Sequence, residues 1–262
     1  MKYKSTRGNY NLAEASEVIR LGMVPTGGLF VPEKIPELSQ REILNRKNYD
    51  YSELAVWILS YFLGDFNESE IKKAVNLAYS KENFPVDLVT PLVSFDKETH
   101  LLELWHGPTA AFKDIALQVM PYLLKESVKK SESDKETVIL VATSGDTGKA
   151  ALEGFKDIEG TKIIVFYPEK GVSEIQKNQM LTTEGENTSV VGVKGNFDDC
   201  QNQVKKIFRD EKVNELLAKN GYQFSSANSI NWGRLVPQIV YYFSGYFYLI
   251  RDNKIEEGKK IN

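Results

Sequence analysis

Between residues 51 and 63 apolar side chains recur at intervals of three and four, at Leu54, Ile58, Leu59, Phe62 and Leu63, before Gly64 interrupts the run. That spacing predicts an amphipathic helix with one face against a core. A second helix is expected over 68–79, ahead of the turn residues Asn83 and Pro85. Upstream, Gly22 and the segment Pro25-Thr-Gly-Gly-Leu-Phe-Val-Pro32 mark turns around a short strand. Residues 1–90 therefore read as a separate, mostly helical layer with short strands, and no obvious chemistry resides there.

The pattern changes at residue 137. Val138-Ile-Leu-Val-Ala142 is a short apolar run with β-branched residues, suited to a strand buried on both faces, and 162–167 and 189–193 repeat the form. Residues 149–156, 173–184 and 198–210 fit helices, the last with Cys200, Val204, Ile207 and Phe208 on one stripe. A further helical run covers 231–250, with Leu235, Ile239, Tyr242, Phe243 and Tyr246 expected to face the core and Pro237 tolerated in its first turns. Alternation of this kind predicts an α/β fold: a parallel sheet with right-handed crossovers and helices on both faces. Ligands belong at the carboxyl ends of such strands.

Composition narrows the class. The chain has 262 residues, 42% apolar and 26% charged, which is globular composition with enough length for a sizeable core. Its net charge is only −3, with Lys and Arg scattered rather than clustered, so nucleic acid is not an expected partner. The single cysteine, Cys200, forms no internal disulfide, and the start lacks the apolar core of a secretory signal. No run approaches the roughly 18 apolar residues that span a bilayer. No membrane association and a cytoplasmic location are the expectation.

Three segments carry candidate chemistry. Thr143-Ser-Gly-Asp-Thr-Gly148 stands after a predicted strand and before a helix expected near Lys149, where free backbone N–H groups suit an anion. An ordinary strand-to-helix turn, capped by Ser144 or Asp146, would read the same way. A nucleotide-phosphate loop does not fit, because Thr143 stands where that motif needs glycine and Ala150 where it needs a hydroxyl. Lys113 closes the segment Gly107-Pro-Thr-Ala-Ala-Phe-Lys113 and precedes the amphipathic run Ile115, Leu117, Val119, Leu123, Leu124. A helix start there would help its amine shed the proton it must lose before reacting with a carbonyl. His106, in a turn beside Trp105, reads as a packing residue. Asn228, Ser229 and Arg234 together offer an amide, a hydroxyl and a guanidinium, the donor set a phosphate monoester needs, although Arg234 could equally pair on a helix surface. Two histidines and one cysteine stand far apart, so no metal site is expected.

These motifs, Glu103-Leu-Trp-His-Gly-Pro-Thr-Ala-Ala-Phe-Lys-Asp114, Thr143–Gly148 and Asn228-Ser-Ile-Asn-Trp-Gly-Arg234, resemble in order and spacing those of threonine synthase, over residues 1 to about 250. The resemblance implies a tryptophan-synthase-like fold and pyridoxal 5'-phosphate as cofactor, carried on Lys113. It implies that Ser144, Gly145, Asp146 and Thr147 orient the substrate carboxylate, with Ser144, Gly145 and Thr147 also touching the cofactor. Asn228, Ser229 and Arg234 would hold the substrate phosphate. The implied reaction converts O-phospho-L-homoserine and water into L-threonine and phosphate, as a carbon–oxygen lyase acting on a phosphate ester. A related phospho-lyase is the alternative. Residues 91–262 would be the amino-terminal part of the catalytic domain. The family's glycine-rich loop of the type Ser-Gly-Asn-Phe-Gly-Asp, expected after Ile250, has no counterpart here, because Gly195-Asn-Phe-Asp-Asp199 lacks the second glycine and sits upstream. The chain thus looks like the amino-terminal half of the family, which by itself could be a catalytically incomplete fragment requiring the missing segment.

Overall fold

A computed structural model of the chain describes residues 1–261. The first part is a helical layer edged by short strands: β1 (Tyr3–Ser5), α1 (Ala15–Leu21), β2 (Phe30–Pro32), α2 (Gln40–Leu44), α3 (Tyr51–Phe62) and α4 (Glu68–Ala78). β1 and β2 pair antiparallel. α3 starts at a reciprocal cap, in which Glu53 N–H donates to Asp50 Oδ1 at 2.8 Å and Asp50 N–H donates to Glu53 Oε2 at 3.0 Å. Asn67 and Glu70 start α4 in the same way. Leu54, Ile58, Leu59 and Phe62 are buried, as their spacing predicts.

A hairpin of β3 (Leu92–Ser94) and β4 (His100–Leu102) leads into the Lys113 segment, then α5 (Asp114–Leu117) and α6 (Met120–Lys130). The chain then alternates: β5 (Glu136–Ala142), α7 (Asp146–Phe155), β6 (Thr161–Pro168), α8 (Glu174–Leu181), β7 (Thr188–Val193), α9 (Phe197–Arg209), α10 (Glu211–Lys219) and β8 (Tyr222–Ser225). The four strands form one parallel sheet in the order β7-β6-β5-β8. Successive side chains of β5 part to opposite faces. Ile139 and Val141 join Ala150, Ala151, Leu152 and Phe155 of α7, while Val138, Leu140 and Ala142 meet Cys200 and Val204 of α9. The larger of these side chains, Val, Leu, Ile and Phe, each contribute roughly 1.5–3 kcal/mol by leaving water, so both faces of β5 hold the sheet between helices. The core behind α7 is continuous with the helical layer through Leu54, Leu123 and Phe247.

The Gly195–Asp199 segment starts α9. Asp199 N–H donates to Asn196 Oδ1 at 3.0 Å and Asn196 N–H to Asp199 Oδ2 at 2.8 Å, which spends its polar groups on the helix end.

The run predicted over 231–250 divides into α11 (Trp232–Leu235) and α12 (Gln238–Arg251). Pro237 stands at the break, where its missing N–H and its ring end the first helix. The division also turns the second helix. Val240, Tyr241, Ser244, Phe247 and Tyr248 face the core, whereas Tyr242, expected inside, is 68% exposed. α12 is apolar on more than one side, so spacing alone does not choose its buried face. Among the described residues no helix is long and apolar enough to cross a membrane.

Candidate functional site

β5 has β6 on one side and β8 on the other, so the direction of strand succession reverses at β5. The crevice outside its carboxyl end is the position where open α/β sheets bind ligands. Two hydrogen bonds tie the two strand ends there, and a third braces the segment after β8. Asn228 Nδ2 donates to the Ala142 carbonyl at 3.1 Å, Asn228 N–H donates to Ser226 Oγ at 3.2 Å, and Ser226 Oγ donates to the Leu140 carbonyl at 3.4 Å.

The loop after β5 is organised by Thr143, a buried residue outside the predicted set. Its Oγ1 accepts from Gly145 N–H at 3.0 Å and Gly148 N–H at 2.8 Å and donates to the Gly145 carbonyl at 3.0 Å. α7 starts at Asp146, three residues before the expected Lys149, so Asp146 and Thr147 lie in its first turn. The N–H groups of Ser144, Asp146 and Thr147 take no partner among the described residues. Gly145 at φ 145° has a backbone that side-chain-bearing residues rarely adopt, and a Cβ there would overlap the Gln176 amide. Lys149 turns to Glu153 Oε2 at 2.8 Å and Thr183 Oγ1 at 3.0 Å, away from any role as a phosphate-loop lysine. Thr143→Val keeps the side-chain shape and removes the hub oxygen. It leaves Gly145 N–H without its acceptor and should lower stability by about 1–3 kcal/mol in urea denaturation.

Lys113 caps α5, with its side chain 19% exposed and Nζ 3.5 Å from Asp146 Oδ2. The same ammonium lies 4.6 Å from the Phe112 ring centroid, and the Arg234 guanidinium lies 5.9 Å from that centroid. Arg234 is 2% exposed, and its Nε and Nη1 have no hydrogen-bond partner among the described residues. Burial lowers its pKa from 12.5 to about 10, against the pull of Tyr241 and Asp114. Asp114 is fully buried, and burial raises its pKa although Thr109 opposes the shift by donating its N–H at 2.8 Å and its hydroxyl at 2.7 Å. These bonds fasten the turn before Lys113, including Ala110 at φ 55°, a conformation that costs on the order of 1 kcal/mol. His106 Nε2 sits 2.6 Å from Glu103 Oε2, beside the Trp105 ring.

The fold therefore brings Lys113 and Arg234 to the Phe112 ring and Asp146 to Lys113, while Ser144, Gly145 and Thr147 flank Asp146 at the start of α7. Asn228 stands at the junction of β5 and β8 with one amide hydrogen committed to the sheet. Ser229 is exposed. Thr143, Asp114 and Gln176 join the site through hydrogen bonds that no sequence motif displays, although Thr143 and Asp114 stand within two of the singled-out segments.

Residues 2–79 match the family described as the threonine synthase N terminus. The chain is 39% identical over 244 residues to threonine synthase of Pseudomonas aeruginosa, a match covering 93% of this chain and 50% of that protein. It is 40% identical over 256 residues to threonine synthase-like 1 of Mus musculus, covering 94% of this chain and 34% of that one. Among solved structures, the PLP-bound threonine synthase of Brucella melitensis superposes with a TM-score of 0.84 at 36% identity, covering 97% of this chain and 53% of that one. The chain thus spans about half the length, or less, of the relatives it matches.

Proposed function

We propose that this chain, which in sequence and fold belongs with the amino-terminal half of the threonine synthases, holds pyridoxal 5'-phosphate on Lys113 and contributes to conversion of O-phospho-L-homoserine and water into L-threonine and phosphate. The observation that carries the reading is Arg234, a buried guanidinium with two unpartnered nitrogens, near the same ring as the Lys113 amine. A buried cation whose donors are left without hydrogen-bond partners costs several kcal/mol. Such a cost is expected where an anionic ligand supplies the missing partner.

The remaining residues fit the same ligands. Lys113 is enclosed yet reachable, as an amine that must meet an aldehyde requires. Bound there, the cofactor supplies an electron sink for charge developing on the substrate carbon skeleton. Lys113 Nζ holds and moves the protons of the α and β carbons. The free N–H groups at Ser144, Asp146 and Thr147, with the Ser144 and Thr147 hydroxyls and the close approach allowed at Gly145, orient a carboxylate at the positive end of α7. Arg234, with Asn228 and Ser229, steadies the phosphate as it leaves the γ carbon. Further contacts to the cofactor phosphate are expected from the part of the family fold not included in residues 1–262. One second reading is a related phospho-lyase on a similar substrate that stops short of threonine; product analysis separates the two.

The test is to incubate the chain with pyridoxal 5'-phosphate, reduce with borohydride and map the pyridoxyl-lysine by peptide mass spectrometry. Labelling concentrated on Lys113 supports the reading. Labelling scattered over exposed lysines, both for the chain alone and after joining to the remaining half of the fold, would remove it.

A further inference from the structure

Asp146 faces two groups at once. Its Oδ2 lies 3.5 Å from Lys113 Nζ, and its Oδ1 accepts from Gln176 Nε2 at 2.7 Å. Gln176 is held in turn from its other end. Its Oε1 accepts from Ser173 N–H at 3.3 Å and Ser173 Oγ at 3.2 Å, where Ser173 is the cap of α8. The amide also lies directly over Gly145, where any Cβ would overlap it. A continuous chain of contacts therefore runs from the α8 cap through Gln176 and Asp146 to Lys113. Asp146 is 54% exposed and has no other side-chain partner among the described residues, so little besides Gln176 fixes the rotation of its carboxylate.

We propose that Gln176 is a positioning residue: by holding Asp146 Oδ1 it presents Asp146 Oδ2 to Lys113 and so controls how freely the Lys113 amine reacts. The inference rests on the reading above for what Lys113 does, but not for whether Gln176 controls it. Two features make the arrangement more than a helix cap. A Ser173–Gln176 capping box needs only the Gln176 carbonyl oxygen, and here the amide nitrogen is spent on a different element, 30 residues away in sequence. In addition, Gly145 removes the side chain that would keep Gln176 off the loop.

The experiment uses no cofactor. The chain is trace-labelled with acetic anhydride at one fixed pH, and acetylation of Lys113 is read by peptide mass spectrometry against Lys177, in the same digest, as internal reference. A pair whose carboxylate is half-exposed restrains an amine modestly, so freeing it should raise the Lys113 rate by about two- to fivefold. That rise is expected in Gln176→Leu and in Asp146→Asn, and the double variant should show no further increase, because both remove one interaction. The combination Gln176→Glu with Asp146→Asn restores the hydrogen bond between the two side chains but puts no carboxylate against Lys113, so its rate should stay at the Asp146→Asn value. Ser173→Ala reports on the helix cap: it should lower thermal stability with a smaller effect on Lys113. A Lys113 rate unchanged in Gln176→Leu, with only stability lost, would reduce Gln176 to a cap. Effects of the two single variants that multiply would show that Gln176 does not act through Asp146. Either result overturns the proposal, whatever the outcome of pyridoxal labelling.

Discussion

Lys113→Ala is expected to abolish the borohydride-stable pyridoxyl label and, in the chain joined to the remaining half of its fold, to lower turnover at least about a thousandfold, the scale of a lost acid–base group. The loss follows from chemistry rather than from folding. Lys113 stands at the end of a turn anchored by Asp114, with the salt-bridge distance to the half-exposed Asp146 of 3.5 Å, a contact that contributes little to stability. Lys113→Arg separates the two roles. It keeps a cation facing Asp146, yet a guanidinium does not lose its proton near neutral pH and has no free amine to offer an aldehyde. Both variants should therefore unfold in urea close to the wild-type midpoint while carrying no label. Persistence of labelling on the same peptide in Lys113→Ala would sink the assignment.

The second large effect runs in opposite directions for stability and for binding. Replacing Arg234 by methionine should stabilise the unliganded chain by roughly 2–3 kcal/mol and eliminate its stabilisation by inorganic phosphate. The lowering of the Arg234 pKa from 12.5 to about 10 corresponds to a cost on the order of 3 kcal/mol for burying the charge. The sign is that of a cation whose folded pKa is depressed. The unfolded chain binds the proton more tightly, so the cost is present in full below about pH 10 and disappears as pH rises through the ordinary value. Methionine fills much of the same space without a charge, the kind of replacement that is often stabilising for buried ions. Urea midpoints with and without phosphate measure both arms. A destabilised variant would mean that the guanidinium is satisfied within the fold, and phosphate protection equal to wild type would place the anion elsewhere.

The parts of the fold that were legible from sequence share one cause: a single dominant period. α3 and α4 show helical spacing, and β5 and β6 show continuous apolar runs, because each is packed in one manner along its whole length. β8 was missed because Tyr222-Gln-Phe-Ser is short and lacks a β-branched run. The division of α11 from α12 depends on how Pro237 is accommodated, and the exposed side of α12 on packing against neighbours that its nearly uniform apolar sequence does not name. At the site, the motifs pointed to Lys113, the Ser144–Thr147 loop and Arg234; the fold sets Lys113 against Asp146 of that loop, and Lys113 and Arg234 near the same Phe112 ring. Thr143, Asp114 and Gln176 were not singled out because their contribution is relational. A threonine after a strand or a glutamine in a first helical turn acquires significance only when the fold supplies Gly145 N–H or Asp146 as its partner.

The pairing of β8 with β5 has a kinetic consequence. β5 and β6 are joined by one short helical crossover, whereas Glu136 meets Tyr222 only after the whole of β6, β7 and the intervening helices has been made. Loop-closure entropy grows with the length enclosed, so the β5–β6 ladder is the cheaper contact to form and the β5–β8 ladder the later one. The crevice that places Asn228 against Ala142 is consequently the last part of the sheet to be assembled during synthesis from the amino terminus, and a nascent chain exposes the unpaired side of β5 until residues 222–225 have emerged.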